Sequence, residues 1–231
     1  MLAIIPAKGY SEGIPGKNLA KIDGKPLIVR CIETALSAHS VSRVIVSSDS
    51  AEIIEASHGA GAETDLRPEE LCQTTSSSES VLHYVLGRVR TTELTILLQC
   101  TAPLMTAADI NGTVEQCVLS PDTDAAFAAA PFHGFLWKQW GDRVQGWGHT
   151  TITPRRMRQE ARQVLYKEAG SVYVMRTEGF LGAKNRFFGR VVPYLIPEHR
   201  LLEIDEPEDL EEARCRIENH YAGSTIDAIR Y

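Results

Sequence analysis

The chain has 231 residues, a net charge of −6 and an ordinary globular composition, enough for one large α/β domain or one domain with a smaller insertion. That charge gives no general basis for binding nucleic acid or an anionic membrane, so any basic site has to be local. Five scattered cysteines, Cys31, Cys72, Cys100, Cys117 and Cys215, show neither CxxC nor metal-ligand spacing and fit reduced, cytosolic thiols. Met1 runs almost directly into an apolar stretch, leaving no room for a signal peptide, and no apolar run reaches membrane-spanning length. A cytoplasmic protein is expected.

The first element, Leu2 to Ile5, is short and rich in β-branched residues, as suits a central parallel strand. It enters a loop with Gly9, Gly13, Gly16 and two prolines, a composition that lets successive backbone N–H groups face one anion. Lys8 and Lys17 add positive charge. Neither common phosphate motif is present. Gly16-Lys17 is followed by Asn18, Ser11 stands where a Walker A motif has its first glycine, and GxGxxG spacing is absent.

A turn at Asp23-Gly24 leads to a helix with Pro26 as its first residue and Leu27, Ile28, Cys31, Ile32, Ala35 and Leu36 on one face. Arg43 to Asp49 reads as a second buried strand with a polar end, and Ser50 to Ala60 as a second helix with Ile53 and Ile54 inward. Leu66 to Glu69 is expected as loop. The run Thr74 to Ser78 caps a helix carrying Val81, Leu82, Val85, Leu86 and Val89. A third strand, Thr95 to Leu98, a helix from about Ala107 to Leu119 and a strand from Asp124 to Ala130 follow. This alternation predicts a doubly wound, mostly parallel, Rossmann-like sheet.

Between residues 131 and 165 the pattern changes to three tryptophans, a Gly141-Asp142 turn and few aliphatics. It reads as an arm inserted in a single domain spanning 1–231, suited to a homodimer contact or to packing within the monomer. Thr153-Pro154 marks a helix start, and Arg155, Arg158 and Arg162 then share a face, either as a solvated basic surface or as an acid-binding one. Gly170 to Val174 is a further strand, Phe187-Phe188 begins another through Leu195, and Glu206-Pro207 opens an acidic helix expected to cover the sheet.

Written as IPAKGYSEGIPGKNL, the first loop closely resembles the signature loop of the sugar-acid cytidylyltransferases, especially the CMP-sialic acid synthetase (acylneuraminate cytidylyltransferase) family. Further matches recur in order along nearly the whole chain. VSSDS resembles the second-strand end, LRPEEL an arginine-containing loop, LLQCTAPL the LLQPTSPLR motif, GSVYV the NGAIYI strand and EIDEPEDL the DIDTPEDL segment. The resemblance implies a nucleotide-diphospho-sugar transferase type of sheet with an inserted dimerisation arm. It places Ala7, Lys8, Gly9, Lys17, Asn18 and Ser76 around CTP, with Arg67 on the cytosine. It assigns Gln99, Arg158, Tyr173, Phe187 and Phe188 to the sugar acid, Glu203 and Asp205 to Mg²⁺ or Mn²⁺, and catalysis to Lys8, Lys17 and Asp205.

The chemistry asks for such a set on its own account. Attack of a hydroxyl on the α-phosphorus of CTP adds negative charge to a centre already carrying three phosphates, so cations and backbone dipoles have to surround it. Glu203 and Asp205, alternate residues on an extended strand, would project to one face and serve one cation, although acids there also complement the dipole of the following helix. The chain departs from the family pattern at Lys8, Glu12, Met105, Ala169 and Glu203. Kdo-transferring relatives usually place an aspartate near Thr101, so by the resemblance its absence here implies a sialate-like acceptor. The expected activity is CMP transfer from CTP to a sialic-acid-like nonulosonic acid. The alternatives are transfer to Kdo or another small acid such as a phosphonate, or a catalytically weak nucleotide-binding protein of the same fold.

Overall fold

The computed structural model describes residues 1–73, 75–89, 92–147 and 165–227. Its centre is strand β1 (Leu2–Pro6), whose residues Leu2 to Ile5 are fully buried. A strand buried on both faces has no polar side to alternate with, which is why this stretch reads as an unbroken apolar run. On one side β1 pairs in parallel with β4 (Arg43–Ser48), which pairs with β5 (Glu63–Leu66). On the other side it pairs in parallel with β6 (Leu94–Leu98). Beyond β6 lie β10 (Leu165–Arg176), β7 (Ala125–Phe132) and β11 (Val191–Leu195), completing a seven-stranded sheet in the order β11-β7-β10-β6-β1-β4-β5. Only β10 runs against its neighbours.

Helices cover both faces. Ala3, Ile5, Val44, Val46, Ile96 and Leu98 pack with α1 (Leu27–Ser37) and α4 (Ala107–Val118) through Ile28, Ile32, Ile110 and Val114. Leu2, Ile4, Ile45 and Leu97 pack with α3 (Ser78–Leu86) through Val81, Leu82 and Val85, and with Phe180 of α5 (Thr177–Ala183). The doubly wound expectation is therefore met. Alternate residues of one strand feed opposite layers, and burial of these side chains contributes roughly 1.5–3 kcal/mol each. Helix α2 (Ala51–Gly59) starts at Ser50, whose hydroxyl accepts from the N–H of Ile53. Helix α4 opens with a Thr106–Asp109 capping box.

Several expectations need correction. Glu63–Leu66 is an edge strand with no counterpart in the predicted elements, so of the expected loop Leu66 to Glu69 only Leu66 is strand; the strand's polar residues are tolerated because an edge is half solvated. Phe187 and Phe188 precede β11 and lie outside any strand, while α5 had no counterpart in the predicted elements. Leu36, on the predicted inner face of α1, is 46% exposed. The last helix, α6 (Pro207–Asp227), does not cover the sheet. Its Ala213 and Ile217 form a separate cluster with Ile22, Leu27, Leu202 and Ile204. Ile22 belongs to a small hairpin of β2 (Lys21–Ile22) and β3 (Lys25–Pro26), turned by Asp23 and Gly24, both at positive φ.

The tryptophan-bearing stretch forms a second hairpin, β8 (Leu136–Trp140) and β9 (Arg143–Trp147), turned at Gly141. Trp137, Trp140, Val144 and Trp147 are all exposed. Lys138 Nζ stands 5.2 and 5.3 Å from the rings of Trp140 and Trp147. The predicted helix from Thr153 and its arginines, Arg158 among them, lie outside the described residues.

Candidate active site

The carboxyl ends of β1, β4, β5 and β6 open on one crevice, beside the point where the chain turns from one half of the sheet to the other. Residues 7–19 leave β1 there and are held from several directions. The N–H of Ala7 bonds the Ser47 carbonyl, and that of Gly9 bonds Asp49 Oδ1 at 2.7 Å. Asn18, 7% exposed, donates Nδ2 to the Lys8 carbonyl at 2.8 Å and accepts the Cys100 thiol at 3.1 Å. Asn18 thus braces both ends of the loop. Burial pushes the Cys100 thiol up to about 12, so it serves as a neutral donor.

The loop reaches the far end of the chain through Lys17. Its Nζ donates to the Ile204 carbonyl at 2.8 Å and to Asp205 Oδ1 at 3.0 Å. A side chain at position 13 would strike the Asp205 carbonyl, so only glycine lets the two segments approach this closely. Residues 201–206 are not a sheet strand, which corrects the sequence expectation, yet burial still alternates there. Leu202 and Ile204 turn inward and Glu203 and Asp205 outward, with the Ile204 N–H bonded to the Thr101 carbonyl at 2.8 Å. The two carboxylates therefore share a side, as predicted, because an apolar cluster fixes the alternation rather than a ladder of hydrogen bonds.

Glu203 packs its carboxylate against Gly170 of β10. Burial raises its pKa, and the charges of Asp205 and Glu168 raise it further while Lys17 opposes them. A cation placed there would relieve that repulsion. Among the described residues no cluster of three or more His, Cys, Asp or Glu forms a metal cage. Two carboxylates fit a hard divalent ion of the kind that takes most of its ligands from water and substrate phosphates.

Arg67 follows β5 and is 7% exposed. Its Nη2 donates to the Ser47 carbonyl at 2.7 Å, while its buried Nε has no partner among the described residues. Burial lowers its pKa, and Asp49 and Asp65 counter that. A buried N–H left over at the rim of an anion loop is a ready donor for the ring acceptors of a base. Ser76 lies half-buried in the turn before α3, and Lys8 is half-buried at the mouth of the loop.

Gln99 follows β6, its N–H bonded to the Ser171 carbonyl of β10, which brings β10 to the crevice. Tyr173 is buried and its hydroxyl donates to Glu168 at 2.9 Å. Burial and the nearby carboxylates push that hydroxyl well above the usual tyrosine range. Phe187 meets Tyr173 and Phe127 edge-on, at 5.9 and 5.4 Å between ring centroids. Phe188 turns away, packed on Gly179 of α5. Beside them Arg186 Nε donates to Glu79 Oε1 at 2.6 Å, the side chains 16% and 20% exposed. Burial alone would raise the Glu79 pKa, but the Arg186 hydrogen bond and charge and its own N–H bring it below the usual value.

Asp49, Glu79, Glu168 and Arg186 were not singled out from the sequence. Asp49 had a signal, being polar at the end of a buried strand; the Glu79–Arg186 pair spans 107 residues and had none. A cavity of about 690 Å³ lies at the other end of the sheet, lined by Thr92, Glu93, Asp124, Arg176 and the start of α5. Its Arg176 is already bonded to Glu93 and to the carbonyls of Thr123, Cys117 and Pro121, so the cavity offers no comparable chemistry.

Comparisons with known proteins bear on the family and the fold. The family model described as Cytidylyltransferase matches residues 2–137. An N-acylneuraminate cytidylyltransferase of Escherichia coli is 28% identical over 223 residues, covering 91% of this chain and 50% of that protein. The chain thus spans about half the length of that relative. A pseudaminic acid cytidylyltransferase of Campylobacter jejuni is 25% identical over 220 residues, covering 92% and 94% of the two chains. Among solved structures, a CMP:2-keto-3-deoxy-manno-octonic acid synthetase complexed with CTP superposes with a TM-score of 0.69 at 20% identity, covering 95% and 98%. At that identity the likeness concerns the fold.

Proposed function

The chain belongs to the cytidylyltransferase family, and from that premise we propose that it transfers CMP from CTP to a sialic-acid-like nonulosonic acid, with release of pyrophosphate. The observation that carries this is the Lys17 bridge. It joins the glycine-rich loop to Asp205, two residues beyond Glu203, across 188 residues of sequence, where a triphosphate and its counter-ion would meet.

In the proposed reaction the acceptor hydroxyl releases its proton to solvent as its oxygen bonds to the α-phosphorus, the bond from that phosphorus to the bridging oxygen breaks, and pyrophosphate leaves. Lys8 and Lys17 hold the phosphates, and backbone N–H groups of the loop complete their cradle. The Arg67 Nε donor reads the cytosine ring. Asn18, fixed between Lys8 and Cys100, keeps the loop in shape. Gln99, Tyr173 and Phe187 orient the sugar acid, and Arg158 adds charge to it. Glu203 and Asp205 would hold Mg²⁺ or Mn²⁺, which when bound supplies positive charge to the triphosphate and acidifies the attacking hydroxyl.

The exposed hairpin β8–β9 suits a homodimer contact, since a two-stranded ribbon with three exposed tryptophans gains from burial against a second copy. Among the described residues no helix is long and apolar enough to cross a membrane, and the unpaired cysteines are those expected of a cytoplasmic protein.

The test is pyrophosphate release from CTP with a panel containing an N-acetylated nonulosonic acid, Kdo and a phosphonate. Turnover with the first and little with the others is expected. Turnover with Kdo or the phosphonate alone would move the acceptor assignment, and tight CTP binding without product would make this a nucleotide-binding protein.

A further inference from the structure

Asp49 stands where three parts of the crevice meet. It is exposed and directly follows β4. Its Oδ1 accepts the Gly9 N–H at 2.7 Å. Among the described residues, Gly9 is the one member of 8–13 whose backbone N–H has a partner in the molecule. The other N–H groups of that stretch stay open to an anion, while the one at Gly9 is spent on holding the loop. A Cβ at position 9 would lie 2.9 Å from that of Ser50, so the loop is pressed against the end of β4 without slack. The same strand end carries Arg67. The Ser47 carbonyl accepts both the Ala7 N–H and Arg67 Nη2, and the Ser48 carbonyl accepts the Arg67 N–H. Of the groups that offset burial of the Arg67 guanidinium, Asp49 acts most strongly, ahead of Cys72 and Asp65. Asp65 is itself engaged, by Ser47 Oγ at 3.0 Å and Arg88 Nε at 3.8 Å.

Two effects of opposite sign compete at such a residue. A carboxylate beside a triphosphate repels it and weakens binding, whereas a carboxylate that sets the shape of the phosphate loop strengthens it. The contacts favour the second. Oδ1 is engaged by a loop N–H, the guanidinium of Arg67 balances the charge, and Lys8 and Lys17 remain to meet the phosphates. We propose that Asp49 is a positioning residue that ties the base-reading Arg67 to the phosphate loop, so that recognition of cytosine and recognition of the triphosphate reinforce each other. Asp49 itself acts through Gly9 and Arg67. This rests on the cytidylyl-transfer reading above.

The test is calorimetry of CTP, UTP and CMP in Mg²⁺ with wild type, Asp49→Ala and Asp49→Asn, alongside the KM values for CTP and for the acceptor acid. Asp49→Ala is expected to lose about 10- to 100-fold in CTP affinity, the range for losing a charged hydrogen bond. Most of the preference for CTP over UTP goes with it, and the gain in affinity from CMP to CTP shrinks. The KM for CTP rises in step, while the KM for the acid stays near wild type. Asp49→Asn keeps an acceptor for the Gly9 N–H without the charge beside Arg67, so it falls between wild type and alanine. It carries the test alone should the alanine variant fail to fold. Tighter CTP binding by either variant would overturn the proposal, since Asp49 would then be a charge that opposes the phosphates. So would unchanged binding in a folded variant, a loss of CTP affinity that leaves the preference over UTP intact, or an equal loss for CTP and the acid, the mark of a general brace. Each of these outcomes leaves cytidylyl transfer standing, whereas a wild type that binds neither CTP nor UTP overturns that reading and this proposal with it.

Discussion

Two ion pairs flank the crevice and differ in how they are held. In one, Lys17 is 13% and Asp205 67% exposed in their side chains, a buried cation meeting an open carboxylate; in the other, Arg186 and Glu79 are 16% and 20% exposed. Solvent reaches the Asp205 end of the first pair and Lys17 keeps the Ile204 carbonyl as a second acceptor, so ligands can draw Asp205 away at a smaller cost than in a pair closed at both ends. A desolvated pair is rigid, because separating it strands a charge away from water. The contrast teaches a division of labour. On the proposed assignment, the side that would handle phosphates and counter-ions keeps a charge pair that can open, and the side that would recognise the sugar acid keeps one that stays shut.

The largest effect expected from breaking this contrast is on Asp205. Asp205→Asn should lower turnover about 10²- to 10³-fold, the scale of losing one charge-stabilising group at a transition state. Its thermal stability should change by less than about 1 kcal/mol, since Asp205 is itself exposed and Lys17 keeps its bond to the Ile204 carbonyl. The rise in Tm that Mg²⁺ and CTP together give wild type should shrink in the variant. Full turnover would remove the carboxylate from the mechanism.

Glu79→Gln should do the reverse, costing about 1–3 kcal/mol of stability and roughly 2–4 °C of Tm for each kcal/mol, with little change in CTP affinity. Its pH dependence has a definite sign. The folded-state pKa of Glu79 lies below the ordinary value, so its contribution is full above the ordinary glutamate pKa. That contribution is lost as pH falls through the depressed value. Wild type and Glu79→Gln should therefore converge in stability in acid and diverge toward neutral pH; parallel curves would show that the pair contributes nothing.

The nucleotide side was the more legible in sequence, for a physical reason. Parallel strands buried on both faces write unbroken apolar runs, and the loops at their carboxyl ends carry glycines and charges in contiguous motifs, so β1, Lys17 and Arg67 stood out. Glu203 and Asp205 were legible from their spacing, although an apolar cluster and the Ile204–Thr101 hydrogen bond replace the expected sheet strand. The acceptor side is assembled from side chains brought together over long separations. Nothing near Arg186 points to Glu79, and nothing near Phe188 tells that it turns to Gly179 while Phe187 turns to Tyr173. Helix α5 escaped notice because Gly179 and Gly182 lower its propensity, and packing of Phe180 in the core offsets them.

The most direct measurement of the central claim, that loop, Arg67 and acidic pair form one CTP site, is calorimetric titration with CTP and UTP in Mg²⁺ of wild type and Arg67→Met. Wild type should bind CTP at least about 10-fold more tightly than UTP, and the variant should lose that discrimination together with about 10- to 100-fold in CTP affinity. Equal binding of CTP and UTP by wild type, or an Arg67→Met variant that still discriminates, would contradict the assignment of the crevice.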